Sequence, residues 1–97
     1  MYVRRLVWDD WNVPHIARHG VAPHEVDQVC HGRHAVREGY ANRIVVIGRT
    51  ATRRLLAVVL DPNTGEDHVY YPVTARPADR KERRIYDRFK RPGNDKT

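Results

Sequence analysis

Hydrophobic residues recur in two patterns along this chain, one helical and one typical of strands. From Asp9 or Asp10 onward, apolar positions such as Trp11 and Ile16 follow a helical spacing, and either aspartate can cap the first turn. Gly20 supplies the left-handed residue with which many helices end. The pattern therefore predicts a first helix that begins after the two aspartates and ends at Gly20.

A second helix is predicted to begin at Pro23, because proline lacks the N–H that the first helical position leaves unpaired. Val26, Val29 and Cys30 then fall on one inward face, and the sequence "HGRH" closes the helix. Before the first helix, residues 2–8 alternate weakly between apolar and polar positions and predict a short strand.

The middle of the chain has the composition of strands. Residues 43–48 (RIVVIG) and 55–60 (LLAVVL) are rich in branched side chains and are bounded by turn sequences. A third strand is predicted over residues 68–73 (HVYYPV), where Pro72 indicates a sheet edge or a strand end because it cannot donate to a central ladder. Residues 35–40 are a further candidate strand. Short turns predict an antiparallel meander of three to five strands with helices at both ends of the sequence, which is an α+β fold.

The last predicted element is a helix within "TARPADRKERRIYDRF", residues 74–89, with Pro77 in its first position. Helical spacing gives this helix an apolar stripe: Ala78, Glu82, Ile85 and Phe89, with Tyr86 at its flank. A chain of 97 residues is long enough for one domain. This domain is predicted over residues 1–90, followed by a flexible tail over residues 91–97.

The C-terminal helix is strongly basic. Residues 74–89 contain five arginines and one lysine against three acidic residues. One face alternates in sign every four residues and is expected to form a self-paired, solvated ladder: Asp79, Arg83, Asp87 and Arg91. Arg80, Arg84 and Arg88 have the same spacing but one sign, which costs about 0.2–0.5 kcal/mol per pair in an isolated helix. That cost favours an anionic partner, and an ordinary solvated basic face is the alternative.

Glu82 lies in the middle of the apolar stripe, where an unpaired carboxylate would cost several kcal/mol. It is therefore expected to have a cationic partner, and Arg76, Arg18 and His19 are the candidates. One interpretation is a structural ion pair. The other is a carboxylate with a shifted pKa that acts as an acid or a base.

Composition narrows the class of partner. A net charge of +6 favours nucleic acid or an acidic protein. The chain has no apolar run long enough to span a membrane, and its N-terminus lacks the apolar core of a signal peptide. A single cysteine, Cys30, excludes an internal disulfide framework and is typical of a reducing compartment. A cytoplasmic protein without a membrane partner is expected.

Two segments together resemble the BrnT family of toxins: "WDDWNVPHIARHGVAPHEV" (residues 8–26) and "VTARPADRKERRIY" (residues 73–86). The family's signature has a Trp-Asp start, a basic residue before His-Gly, a Gly-x-Thr turn, and Ser/Thr-Ala-Arg before a terminal helix with Glu and Tyr. The matching positions are Trp8-Asp9, Arg18-His19-Gly20, Gly48-Arg49-Thr50, Thr74-Ala75-Arg76, Glu82 and Tyr86. Residues 22–25, where the family usually has an aromatic residue, depart from the signature and indicate a divergent subgroup.

The resemblance implies a RelE-like toxin fold and a ribonuclease that cleaves RNA and arrests translation within a type II toxin–antitoxin module. It also implies a cognate antitoxin with a ribbon-helix-helix DNA-binding domain, so that operator DNA is a partner only through the antitoxin. The enzyme is expected to be metal-independent and to need no cofactor.

Metal-free cleavage of RNA needs a group that accepts the 2′-hydroxyl proton, a group that protonates the leaving oxygen, and cations around the phosphate. The candidate catalytic residues are His19, Arg76, Arg80, Glu82 and Tyr86. The candidate RNA-binding residues are Arg18, Lys81, Arg84 and Arg88. Guanidiniums bind two phosphate oxygens at once, and an imidazole titrates near neutral pH. Structural roles remain the alternatives: Arg76 as the partner of Glu82, His19 at a helix C-terminus, and Tyr86 in the core.

Two other classes of function stay open. A non-catalytic module that binds nucleic acid or an antitoxin, such as a degenerate toxin, would carry the same arginines, and only turnover separates it from the enzyme. His15 and His19 are four residues apart on one predicted helix, a spacing that can hold zinc. No HExxH or CxxC spacing accompanies them, so a metal site is the weaker interpretation.

Overall fold

Helices and strands follow one another in the predicted order. The computed structural model describes residues 1–91, so the predicted tail lies outside the described residues except for Arg91. The elements are β1 (Arg5–Leu6), α1 (Asn12–Ala17), α2 (Pro23–His31), β2 (His34–Glu38), β3 (Ile44–Arg49), β4 (Leu55–Asp61), β5 (Val69–Pro77) and α3 (Arg80–Lys90), with a 3-10 turn at Tyr40–Asn42 between β2 and β3.

The five strands form one mixed sheet in the order β1-β5-β4-β3-β2. Strands β2 to β5 pair antiparallel with their neighbours in sequence, which confirms the predicted meander and the α+β class. β1 differs, because its two residues pair parallel with Val69 and Tyr70 of β5. The predicted strand over residues 2–8 was therefore too long, since only Arg5–Leu6 pairs with the sheet.

Each face of the sheet carries a core, because successive side chains of a strand point to opposite faces. The larger core lies beneath α1 and α2, and its buried members include Ile16, Val26, Val46, Val58 and Ala75. The smaller core lies beneath α3, and its buried members are Ala35, Val45, Ile47, Leu55, Ala57, Ala78 and Tyr86. The sheet therefore separates the solvent-exposed side of α1 from that of α3.

Helix α1 is attached to the sheet by a buried asparagine. The Asp9 carboxylate accepts hydrogen bonds from the N–H groups of Trp11 and Asn12 at 3.0 and 2.9 Å, so it closes the turn before the helix. The side-chain amide of Asn12, which is fully buried, donates to the carbonyl oxygens of Val7 and Pro72 at 2.9 and 3.1 Å. The bond to Pro72 joins α1 to β5, and the bond to Val7 joins α1 to the segment that follows β1.

The second helix begins at Pro23, as predicted. Gly20, in the turn before it, has the predicted left-handed backbone with φ 71°. Val26, Val29 and Cys30 are buried on the inward face, which confirms the helical pattern in this part of the sequence.

Strand β5 runs from residue 69 to residue 77 and is longer than predicted. Pro72 was predicted at a sheet edge or a strand end. It lies inside this strand, which continues to Pro77, so the strand end was wrong. β1 pairs only with Val69 and Tyr70, so among the described residues β4 is the one strand that pairs with Pro72, which confirms a local sheet edge. A bulge follows: Val59 of β4 pairs with Thr74 and Leu60 pairs with Pro72, so β5 has one extra residue between them.

Helix α3 begins at Arg80, because Asp79 rather than Pro77 fixes its start. The Asp79 carboxylate accepts the N–H of Glu82 at 2.8 Å, and the Glu82 carboxylate accepts the N–H of Asp79 at 2.9 Å. This reciprocal arrangement is a capping box. Pro77, which was predicted to open the helix, instead ends β5.

The predicted apolar stripe of α3 was partly wrong. Ala78 and Glu82 are buried as predicted, and Ile85 is half-buried. Tyr86, predicted at the flank, is only 6% exposed, whereas Phe89 is 42% exposed. The final turn of α3 therefore leaves an aromatic ring accessible to solvent.

Candidate functional site

Glu82 is the centre of a buried ion cluster. Its carboxylate accepts two hydrogen bonds from the Arg76 guanidinium at 2.7 and 2.9 Å, and one from the Arg37 guanidinium at 3.2 Å. The Glu82 side chain is 1% exposed, while those of Arg76 and Arg37 are 35% and 40% exposed. The cluster therefore buries one carboxylate and presents two guanidiniums near the surface.

The cluster keeps Glu82 ionised. Burial by itself raises the pKa of this carboxyl. The hydrogen bonds from Arg76 and from the N–H of Asp79, the charge of Arg76 and the hydrogen bond from Arg37 together lower the pKa to about 2. The hydrogen bond to Glu82 likewise raises the pKa of Arg76. Both groups are thus charged at neutral pH, and this state of Glu82 suits the positioning of arginines better than proton transfer.

The sequence identified one of the two arginines that bind Glu82. Arg76 was among the three predicted partners and is confirmed, whereas Arg18 and His19 contribute nothing to this cluster. Arg37 was missed, although the strand pattern contained a signal for it. Ala35 and Arg37 alternate with Val36 along β2, so both point to the face that α3 covers.

The remaining cations of α3 have no ionic partner among residues 1–91. Every ion pair in this part of the chain either lies outside α3 or belongs to the Glu82 cluster. The exposed cations of the helix are Arg80, Lys81, Arg83, Arg84, Arg88 and Lys90. Four of them were predicted to contact RNA, and the structure leaves all four free to do so.

The predicted self-paired ladder on α3 is absent from the described residues. Asp79 uses its carboxylate to cap the helix, so it is not available to Arg83. Within residues 1–91, Asp87 makes no ion pair, and it lines a surface depression of about 360 Å³ with Arg84, Arg88 and Arg91. Three guanidiniums around one carboxylate leave this depression positively charged.

Tyr86 belongs to the core but is surrounded by cations. The Arg49 guanidinium lies 5.7 Å and the Lys90 ammonium 5.8 Å from the centre of its ring. The Nε of Arg49 is buried without a hydrogen-bond partner, while its Nη1 donates to the carbonyl oxygen of Arg53 at 2.8 Å. Arg49 faces α3 from the end of β3. The sequence pattern indicated only a turn at this residue, and therefore no role in the site.

His19 and Arg18 lie away from the arginine cluster. Both are exposed at the end of α1, which packs on β5 on the other face of the sheet from α3. His19 instead lies beside His15, with 6.1 Å between ring centres, and His15 stacks on Trp11 at 4.6 Å. The structure therefore divides the predicted site residues into two groups on opposite faces.

Other chemistry has little support in the described residues. Burial raises the pKa of the Cys30 thiol to about 12, so this cysteine is a poor nucleophile. Within residues 1–91, no group of three or more His, Cys, Asp or Glu side chains is arranged to hold a metal ion. No helix in the same part of the chain is long and apolar enough to cross a membrane.

Comparison of the chain with protein-family models, with curated proteins and with solved structures found no match. The fold and the site themselves define a small α+β protein with a basic, unpaired helix surface beside a buried arginine–glutamate cluster. Such an arrangement can bind a polyanion and can stabilise negative charge on a phosphate group.

Proposed function

We propose that this protein is a small ribonuclease toxin of a type II toxin–antitoxin module, which binds RNA at α3 and arrests translation by cleaving it. The observation that carries the proposal is the array of exposed cations on α3, which have no acidic partner among residues 1–91. The array begins at Arg80, four residues after Arg76, whose guanidinium is held by Glu82. A polyanion is the partner that such a surface attracts most strongly.

In the proposed reaction, the 2′-hydroxyl of a nucleotide attacks the adjacent phosphorus and gives its proton to solvent water. The bond from phosphorus to the 5′-oxygen breaks, the 5′-oxygen takes up a proton as it leaves, and a 2′,3′-cyclic phosphate forms. Arg76 and Arg80 bind the non-bridging oxygens, where negative charge grows in the transition state. Glu82 acts as a positioning residue, because its low pKa keeps it bound to Arg76. Tyr86 is the candidate donor for the leaving oxygen. Lys81, Arg84 and Arg88 bind phosphates further along the strand.

The proposed toxin has a RelE-like fold and a cognate antitoxin with a ribbon-helix-helix domain, and it contacts operator DNA only through that antitoxin. The order of elements supports this part of the proposal. Two helices, a meander and a terminal helix follow one another as the resemblance to the BrnT family implies. An antitoxin that covers α3 would neutralise the same cations that bind RNA.

A second candidate is a non-catalytic module that binds RNA or an antitoxin. One observation favours it: none of the six histidines lies on α3 or on a strand position that faces α3. His34 of β2 points to the opposite face, where its Nδ1 lies 2.9 Å from the carbonyl oxygen of Gly32. The α3 face thus has phosphate-binding groups but no ordinary general base.

Expression in a bacterial host, combined with cleavage of total RNA by the purified protein, tests the proposal. Arg80→Gln/Arg84→Gln removes two exposed cations of α3 without touching the Glu82 cluster. Arg4→Gln/Arg5→Gln is the matched control, because it removes the same charge from the far edge of the sheet, where both arginines pair with the exposed Glu66. We expect wild type and the control to arrest growth and cleave RNA, and the α3 variant to do neither.

Two results separate the alternatives. Wild-type protein that binds RNA in a manner dependent on Arg80 and Arg84, but cleaves none, would replace the enzyme with the binding module. Equal RNA binding by all three proteins would overturn both proposals, since α3 would then have no role in recognition.

A further inference from the structure

Strand β2 is an outer strand of the sheet and pairs only with β3. Beyond its end, the N–H of Gly39 donates to the carbonyl oxygen of Arg43 at 2.7 Å in the register that β2 and β3 share. Hydrogen-bonded and non-hydrogen-bonded pairs alternate in an antiparallel ladder. Ala35 and Arg37 therefore bond to β3, and the N–H and carbonyl of Val36 point away from the sheet.

An apolar groove borders this free edge, between β2 and the second half of α3. The groove, called here the β2 groove, has a volume of about 490 Å³ and is lined by Ala35, Val36, Arg37, Ile85, Arg88 and Phe89. Phe89 is 42% exposed, so apolar surface lies next to the unpaired backbone of Val36. An edge of this kind accepts an additional strand unless something covers it.

The rim of the β2 groove is positively charged. Arg37 and Arg88 line the groove, and the Arg33 guanidinium lies 5.2 Å from the centre of the Phe89 ring. Glu82 pairs with Arg37, but Arg33 and Arg88 make no ion pair among residues 1–91. Carboxylates are therefore favoured as neighbours of this rim, and a second copy of the chain would bring its own arginines against it.

We propose that the β2 groove binds an extended, acidic segment of another protein as an added strand. Its main chain pairs with the edge at Val36, and every second side chain of the added strand faces α3. Apolar side chains on that side pack on Ile85 and Phe89, and carboxylates on the same side contact Arg33 and Arg88. RNA fits less well, because it has no peptide backbone to complete the ladder and no side chains for an apolar floor. The inference does not depend on the RNA chemistry proposed above.

Selection from a library of random peptides of strand length, displayed on phage and panned against the full-length protein, tests this inference. We expect enrichment of peptides in which apolar residues and aspartate or glutamate occupy alternate positions of the same set (i, i+2, i+4), because those side chains face α3 together. The most enriched peptide is then synthesised with a fluorescent label, and its affinity is measured by anisotropy.

Three variants locate the bound peptide. Arg88→Glu reverses a charge on the rim and is expected to weaken binding about tenfold or more. Arg83→Glu makes the same change on the same helix outside the β2 groove, and its affinity is expected to stay within about threefold of wild type. Val36→Pro removes the outward N–H, which an edge strand tolerates, and should weaken binding about tenfold with an unchanged circular dichroism spectrum. A further variant, Phe89→Ala, tests the apolar floor independently of the strand.

Several outcomes would overturn the inference. These are a library without enriched acidic peptides, equal losses from Arg88→Glu and Arg83→Glu, and a peptide whose affinity survives both Val36→Pro and Phe89→Ala. A labelled oligouridylate that loses affinity in Val36→Pro would assign the groove to RNA instead.

Discussion

Replacement of Glu82 by glutamine is the most informative single change in this protein. The substitution would keep the size of the side chain but would leave the Arg76 and Arg37 guanidiniums without their shared negative charge. The pKa of Glu82 falls from 4.5 to about 2 on folding. At about 1.4 kcal/mol for each pH unit, the ionised carboxylate contributes about 3 kcal/mol to the free energy of unfolding.

The pH dependence follows from the sign of this shift. Because the folded-state pKa lies below the unfolded value, the contribution is complete above about pH 4.5 and is lost as the pH falls toward 2. We therefore expect Glu82→Gln to be about 3 kcal/mol less stable than wild type at pH 7.5, and the two stabilities to converge between pH 4.5 and pH 2. Other carboxylates titrate in both proteins, so the difference between them isolates Glu82.

Urea unfolding followed by the fluorescence of Trp8 and Trp11 measures this difference. The urea midpoint of Glu82→Gln should fall by about 1–3 M at pH 7.5. Asp87→Asn is the matched control, since it removes an exposed carboxylate from the same helix and should change stability by less than about 0.5 kcal/mol. The reasoning is refuted if Glu82→Gln is as stable as wild type at pH 7.5, or if the gap is the same at pH 3.

Three further predictions concern other parts of the molecule. Single-stranded RNA should bind more weakly as the salt concentration rises. In Arg84→Gln/Arg88→Gln, the plot of log K against log salt, measured by anisotropy, should be less steep by about 1.4. An unchanged slope would exclude both arginines from the interface. Asn12→Ala should destabilise the protein by about 2–3 kcal/mol in urea, because the carbonyls of Val7 and Pro72 lose their donor; a loss below about 0.5 kcal/mol would contradict this role. The Cys30 thiol should react with Ellman's reagent only after unfolding, because it is 2% exposed; rapid reaction of the native protein would contradict its burial.

Local patterns in the sequence predicted the elements whose own residues have a strong preference for one structure. β3 and β4 are apolar along most of their length and are bounded by turns, and α2 begins with a proline whose missing donor suits a helix start. In each case the residues themselves carry the preference, so the elements were found within one residue of their observed starts.

The errors arose where a distant part of the chain decides the outcome. β5 continues past Pro72 because β4 pairs with residues on both sides of it, and those β4 residues are more than ten positions earlier in the sequence. Arg37 joins the Glu82 cluster across 45 residues of sequence. The alternation along β2 indicates the face to which Arg37 points, but not that Glu82 lies on that face. Phe89 had the correct helical spacing, but it lies beside the outer strand β2, and no further strand of the described residues covers it.

The two arginines that hold Glu82 also differ in when they can reach it during folding. Arg76 is 6 residues from Glu82, so the turn between β5 and α3 can form this contact early and at a low cost in chain entropy. Arg37 is 45 residues away, and its contact requires that the meander has already brought β2 close to α3. The Arg37–Glu82 distance is therefore a natural reporter for the completion of folding, while the Arg76–Glu82 distance reports its beginning.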